Sequence, residues 1–255
     1  MKTTHTRFRI FRSSAFSLQA FRLFTLALLL AAVPALSANA QPSPTPIQLF
    51  NGKDLSGWTI YGANTDVVKT LSVKGGAIGS TGGAGAYIRT NERYSNYRLS
   101  IEWRWHNAPL RDDGTPRVRG SGILLHLHGR DMIWPASLEA EILHDRGGEL
   151  ILNGGVTTNE HTAARAAAIA AAGGNAGARK KAEGLVALFR KKPSSEKPVG
   201  RWNRYDIVCE GDTVTISVNG VEQNRVTGVS VQEGHIGIQT GGPMEFRNIT
   251  LTPLK

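Results

Sequence analysis

From residue 97 to residue 106 apolar and polar side chains alternate without a break. Tyr97, Leu99, Ile101, Trp103 and Trp105 fall on one side, and Arg98, Ser100, Glu102, Arg104 and His106 on the other. A period of two marks a strand with one packed face and one face turned to solvent or a ligand. Runs of the same kind recur at 84–89, 121–128, 138–143, 203–210, 213–218, 221–226, 234–240 and 245–252, separated by Gly, Asn, Asp and Pro. They predict antiparallel strands and an all-β sandwich. Asn219-Gly220 predicts a type I′ hairpin, because both central positions of that turn need positive φ. One stretch, 160–197, breaks the pattern. Its Ala-rich run Ala163–Ala172, the Gly173-Gly174 pair and a basic run to Phe189 predict two short helices and loops inserted into the β domain.

The first 40 residues read differently. A basic start, an apolar stretch from Leu23 to Val33 and Ala38-Asn39-Ala40 before Gln41 form the pattern of a secretory signal peptide. The apolar stretch is short of the ~20 residues a membrane span requires. The expectation is therefore export to the periplasm or medium, with no stable membrane span once the leader is removed. Pro42, Pro44 and Pro46 then make 41–46 an extended tether, and the β domain is expected over 47–255.

The net charge of +10 changes meaning when divided along the chain. Lys2, Arg7, Arg9, Arg12 and Arg22 supply +5 within the leader, and 160–200 supplies another +5, from eight Lys or Arg against Glu160, Glu183 and Glu196. The remainder sums to zero, so no phosphate-binding surface spreads over the fold and nucleic acid is not an expected partner. The basic insertion reads as a solvated helical face. A single cysteine, Cys209, excludes an intrachain disulfide, and its place in an apolar alternation predicts an inert core thiol. No Gly-rich strand-to-helix loop, His-Glu-x-x-His or Gly-x-Ser-x-Gly occurs, which leaves nucleotide, zinc-protease and serine-hydrolase chemistry without support.

The candidate chemistry lies on two predicted strands. His126 and His128 alternate on one, and Glu139 and Glu141 on the other. If these strands pair, or lie near the strand of Glu102, imidazoles and carboxylates share a face suited to acid–base work or to a divalent cation held by His126, His128, Glu139 and Glu141. Trp134 beside the second strand offers a platform for a sugar ring, whereas Trp58, Trp103 and Trp105 read as core. Gln239, Arg247 and Asn248 offer donors for hydroxyl or carbonyl oxygens.

Several segments together resemble one family. They are Leu49-Phe50-Asn51-Gly52-Lys53-Asp54-Leu55-Ser56-Gly57-Trp58, Ser121-Gly122-Ile123, Leu138-Glu139-Ala140-Glu141-Ile142-Leu143, Lys197-Pro198-Val199-Gly200-Arg201-Trp202-Asn203, Val218-Asn219-Gly220, Gly237-Ile238-Gln239 and Phe246-Arg247-Asn248-Ile249. In this order they resemble the 3-keto-disaccharide hydrolase domain family of secreted bacterial proteins. The resemblance implies a concanavalin-like jelly-roll sandwich, a sugar or glycoside substrate oxidised to a ketone at C3, and a polar face that includes Glu102, Glu139, Glu141, Gln239 and Arg247. The chain departs from the family's usual residues at Glu141, near His126 and at Gly241-Gly242.

The chemistry that the resemblance implies follows from the ketone. It acidifies the C2 proton, so a base can remove it, and the enolate expels the C1 substituent before water adds. The expected base is Glu139 or Glu141, the proton shuttle His126 or His144, the substrate contacts Trp134, Gln239, Arg247 and His128, and the electrophile for the enolate oxygen Arg247 or a divalent cation. Two rivals remain open: a non-catalytic, lectin-like carbohydrate-binding module, and an ordinary glycosidase with two carboxylates flanking the bond.

Overall fold

The computed structural model describes residues 44–254 except 63, 83–85 and 107–119, so the leader lies outside the described residues. The described residues begin with strands β1 (Ile47–Gln48), β2 (Trp58–Gly62), β3 (Leu71–Lys74), β4 (Ala77–Thr81), β5 (Ala86–Thr90) and β6 (Tyr97–Trp105). They continue through β7 (Ser121–His128), β8 (Ala136–Ile142) and β9 (Leu150–Asn153), then helices α1 (Asn159–Ala172) and α2 (Ala176–Glu183). The last strands are β10 (Ala187–Leu188), β11 (Asn203–Glu210), β12 (Thr213–Val218), β13 (Val221–Val226), β14 (His235–Gln239) and β15 (Pro243–Pro253).

The strands form two antiparallel sheets, ordered β13-β12-β11-β6-β15-β4-β3 and β10-β9-β8-β7-β14-β5-β2, with β1 pairing β15. This is a jelly-roll β-sandwich. Leu99, Ile101 and Trp103 of the first sheet and Ile123, Leu125, Leu138, Ala140 and Ile238 of the second are buried in one common core. Each large apolar side chain enclosed there contributes roughly 1.5–3 kcal/mol. Trp58, Trp103 and Trp105 belong to that core, as does Cys209, whose thiol burial pushes up to about 12. Asn219 and Gly220 have φ of 49° and 82°, as the hairpin requires.

Two local motifs are structural. In the segment before β2, Asn51 Oδ1 accepts from the amides of Lys53 and Asp54, Asp54 Oδ1 accepts from Ser56 N, and the Trp58 indole donates to Leu49 O at 2.7 Å. The turn thereby ties the start of the chain to the core edge. At the other end of the sandwich the phenol of Tyr205, a buried residue of β11, donates to Glu141 O and accepts from Gly148 N. That contact latches the two sheets together beneath β8.

The inserted segment forms the two expected helices and also a strand that was not expected. Thr158 caps α1, its Oγ1 accepting from His161 N, and Glu160 in the first turn accepts from both the amide and the hydroxyl of Thr227. After α2 the chain returns as β10 and pairs with β9, so the insertion extends the second sheet by one edge strand.

Candidate functional site

The outer face of the second sheet is built by the odd-numbered positions of β8 and β9. Glu141 pairs across the sheet with Gly122, and Glu139 with Leu124 on one side and Ile151 on the other. On the next strands Gly237 faces Leu124 and Arg89, and Gln239 faces Tyr87, which in turn faces Tyr61. Glu149, whose carbonyl accepts from Glu141 N, continues the row at its other end. One band across the sheet thus runs Glu149, Glu141, Gly122, Gln239, Tyr87, Tyr61. Neighbouring strands are ~4.8 Å apart, so Glu141 and Tyr87 stand about 14 Å from each other with a glycine between them.

That glycine matters because Glu139 leans over it. A Cβ on residue 122 would lie 2.3 Å from Glu139 Oε1, and a Cβ on Gly120 would lie 3.3 Å from Glu141 Oε1. Glu139 is only 2 % exposed, and its Oε2 accepts from Asn153 Nδ2 at 2.9 Å. Burial raises its carboxyl pKa, and the Asn153 bond offsets part of that rise. Glu141 is half-buried. Burial, followed by the nearby Glu139 and Glu149 carboxyls, pushes it up to about 8 against the pull of Arg146. Each carboxyl, buried beside the other, is thereby harder to ionise than a free carboxyl. Arg146 is engaged by Glu149, donating from Nε at 2.8 Å.

The far end of the band is aromatic. Tyr61 and Tyr87 stack with ring centroids 5.1 Å apart. The loop after β7 crosses over β14 to reach them, and Asp131 accepts from the Tyr87 hydroxyl and from Arg89 Nε and Nη2 at 2.8–2.9 Å. Burial and the Asp131 carboxylate hold the Tyr87 phenol well above its ordinary range. Tyr61, Tyr87, Asn153 and Glu149 were not singled out from the sequence. For Tyr87 the signal was present, since it alternates with Arg89 on an expected strand.

The structure divides the remaining candidates. Glu102 and Arg247 lie on β6 and β15 in the first sheet, whereas Glu139 and Glu141 lie in the second, so the expected common face does not form. Arg247 Nε donates to Glu102 Oε2 at 2.7 Å, Asn248 Nδ2 donates to the same oxygen at 3.1 Å, and the Arg247 guanidinium lies 3.9 Å from the centroid of the Trp202 ring. His126 is also misplaced by the expectation. A bulge between Leu125 and His128 and a φ of 52° turn its ring inward, where Nδ1 bonds Val231 O at 2.9 Å and the ring meets Tyr97 edge-on. Burial lowers its pKa, and it is no shuttle for a solvent-facing sugar. His128 bonds His126 O through Nδ1. Trp134 is 58 % exposed in the loop before β8. His144 lines a cavity with Arg146 and Glu149, beyond the acidic end of the band. Gln239 is the one of these donors that stands in the band itself. Among the described residues no three His, Cys, Asp or Glu side chains gather where they could hold a metal ion. The set His126, His128, Glu139 and Glu141 does not fit a cation, because His126 points into the core.

A family model, the 3-keto-alpha-glucoside-1,2-lyase-like domain, matches residues 45–252. The chain belongs to that family. Among solved structures, the chain is similar to a protein of Parabacteroides distasonis ATCC 8503 described as a glycosyl hydrolase, with TM-score 0.55, 16 % identity and coverage of 82 % of this chain and 94 % of that one. It is also similar to the carbohydrate binding module CBM66 from Bacillus subtilis, with TM-score 0.51, 11 % identity and coverage of 77 % and 95 %. A Bacillus licheniformis beta-glucanase gives TM-score 0.51, 10 % identity and coverage of 84 % and 99 %. At such identities the likeness is one of fold. No curated protein matches the chain significantly.

Proposed function

We propose that the protein is an exported carbohydrate-active enzyme that cleaves 3-keto-glycosides by elimination followed by hydration. The observation that carries this reading is the band in which Glu141, held near pKa 8 beside Glu139, looks across Gly122 and the Glu139 side chain that covers it toward Gln239 and the Tyr61–Tyr87 stack. A sugar ring laid over Gly122 has the Glu139 carboxyl beneath it, the Glu141 carboxyl at one edge, and a side-chain amide and an aromatic stack at the other.

In this reading Glu141 is the base. Of the two acids it is the more exposed, while Glu139 is packed and held by Asn153. The ionised Glu141 carboxylate takes the C2 proton, and the C–H electron pair becomes the C2–C3 double bond of an enolate. The Gln239 amide is the donor on this face for the enolate oxygen. Collapse of the enolate breaks the C1–O bond, and the leaving oxygen recovers a proton from Glu141. Water then adds across the resulting enone, with hydroxyl at C1 and hydrogen at C2, so the sum is hydrolysis. No oxocarbenium ion and no second carboxylate across the bond are needed.

Export rests on the signal-peptide pattern of residues 1–40, and among the described residues no helix is long and apolar enough to cross a membrane. The experiment is direct. The chain from Gln41 onward is incubated with a 3-keto disaccharide while sugar release and enone absorbance are followed. Release from the 3-keto form but not from the plain disaccharide supports the reading. Retention of plain oligosaccharide without any product would assign the face to binding alone.

A further inference from the structure

The inserted segment rejoins the sheet where the acidic band ends. Ala187 pairs with Ile151 and Leu188 with Leu150, so the same register brings Phe189 level with Glu149. The band therefore reads Phe189, Glu149, Glu141. With strands ~4.8 Å apart, Phe189 stands about 10 Å from Glu141, on the side away from the tyrosines. It is 66 % exposed, the largest exposure among the large apolar side chains described. An exposed phenylalanine at the rim of a polar cleft is a ready stacking surface.

Around it lies a cavity of about 510 Å³ whose charged lining sets Arg146, Arg190, Lys191 and Lys192 against Asp145 and Glu149, an excess of cations. The three consecutive cations have no carboxylate within salt-bridge distance among the described residues. Arg190 donates from Nε to Lys192 O at 3.1 Å and from Nη1 to Asp145 O, and Lys191 Nζ donates to Arg225 O at 2.7 Å. Glu160 senses Lys191 only at longer range, its carboxyl being occupied by Thr227. Backbone carbonyls hold the Arg190 and Lys191 side chains in place without neutralising them, and the positive charge of all three remains available to a bound anion.

We infer that the insertion builds a second subsite, on the leaving-group side of Glu141, for an aromatic group that carries an anionic substituent. Phe189 takes the ring and Arg190 and Lys192 take the anion. The inference rests on the proposed orientation of the sugar over Gly122, which leaves the C1 substituent pointing over Glu149 toward Phe189. It gives the substrate class a definite character: glycosides of acidic phenols or similar aryl acids, rather than neutral disaccharides alone.

The test reads binding, so that it stands apart from turnover. The chain from Gln41 onward is titrated calorimetrically at low salt with phenyl glucoside, 4-sulfophenyl glucoside and free 4-hydroxybenzenesulfonate, none of them oxidised at C3. The sulfophenyl glucoside is expected to bind about tenfold more tightly than the phenyl glucoside. Lys192→Gln and Arg190→Gln should each remove a large part of that advantage, and Phe189→Ala should weaken both glucosides. Lys192 is exposed and bears on no core contact, so its variant reports on charge even if Arg190→Gln disturbs the loop. Equal affinities for the two glucosides, or an advantage untouched by both charge variants, would overturn the inference. Binding of the free sulfonate as tight as that of its glucoside would also overturn it, by detaching the site from the sugar cleft. Loss of 3-keto-glycoside turnover with the selectivity intact would instead strike the proposed reaction.

Discussion

Glu139 occupies the space that a side chain on residue 122 would fill: a Cβ there would meet Glu139 Cγ at 2.6 Å and Oε1 at 2.3 Å. The backbone at Gly122 is ordinary extended strand, so alanine fits the chain conformation and only the neighbouring carboxylate must yield. Because Glu139 is enclosed and bonded to Asn153, it has little room to move. Gly122→Ala is expected to lower kcat/KM on a 3-keto-glycoside at least tenfold and to cost about 1–3 kcal/mol by overpacking. Chemical denaturation and steady-state rates on the same sample check both. An unaffected rate would show that Glu139 is not coupled to the reaction.

The pH profile follows from Glu141. A base must be ionised to act, and with its carboxyl pushed up to about 8 roughly a tenth of the molecules carry it in that form at pH 7. The rate should climb about tenfold between pH 7 and pH 9 and then level off, and Glu141→Gln should remove the climb along with nearly all turnover. A rate that falls over the same interval would make Glu141 an acid rather than the base.

The same group imposes a stability trend of definite sign. Its folded pKa is raised above the ordinary value of 4.5, so the folded protein binds the proton more tightly than the unfolded chain. That contribution is fully present below pH 4.5 and is lost as pH rises through about 8. The part-exposed carboxyl is screened by water, and the loss amounts to on the order of 2 kcal/mol rather than the full shift. Thermal melts should show Glu141→Gln gaining on the wild type between pH 5 and pH 9. A difference that stays constant with pH would mean that the carboxyl ionises normally.

Much of this architecture was legible in the chain, and the failures are instructive. The alternation from Tyr97 to Trp105 gave β6 with its buried and exposed sides correctly placed, and β7, β11, β12 and β13 fall on the expected ranges. Alternation says which residues share a strand face but not which sheet the strand joins. Glu102 and Glu141 sit in similar local patterns, yet β6 pairs with β11 and β15 while β8 pairs with β7 and β9. Such pairings are non-local. His126 shows a second limit: one bulge residue reverses every later side chain, and the residues at the bulge itself, Leu125 to His128, include no glycine to announce it. Strand β10, two residues long, is too short to leave a periodic signal.

The separation of the sheets also predicts what the first one does not do. Arg247 binds Glu102 at 2.7 Å and packs on Trp202, whose ring centroid also lies 4.6 Å from the Arg104 guanidinium. Beside it, the register of β15 against β6 shifts between Arg247 and Thr250, where Asn248 takes a φ of 51°. The cluster therefore pins an irregular strand from outside, and a sandwich core separates it from Glu141. Arg247→Ala should cost about 1–2 kcal/mol through the lost ion pair and cation–π contact, while kcat/KM stays within about twofold of wild type because no charge reaches the reacting bond through the core. Urea unfolding and rates at matched folded fraction distinguish the two effects. A large drop in turnover with unchanged stability would return Arg247 to the reaction and require the substrate to reach the opposite sheet.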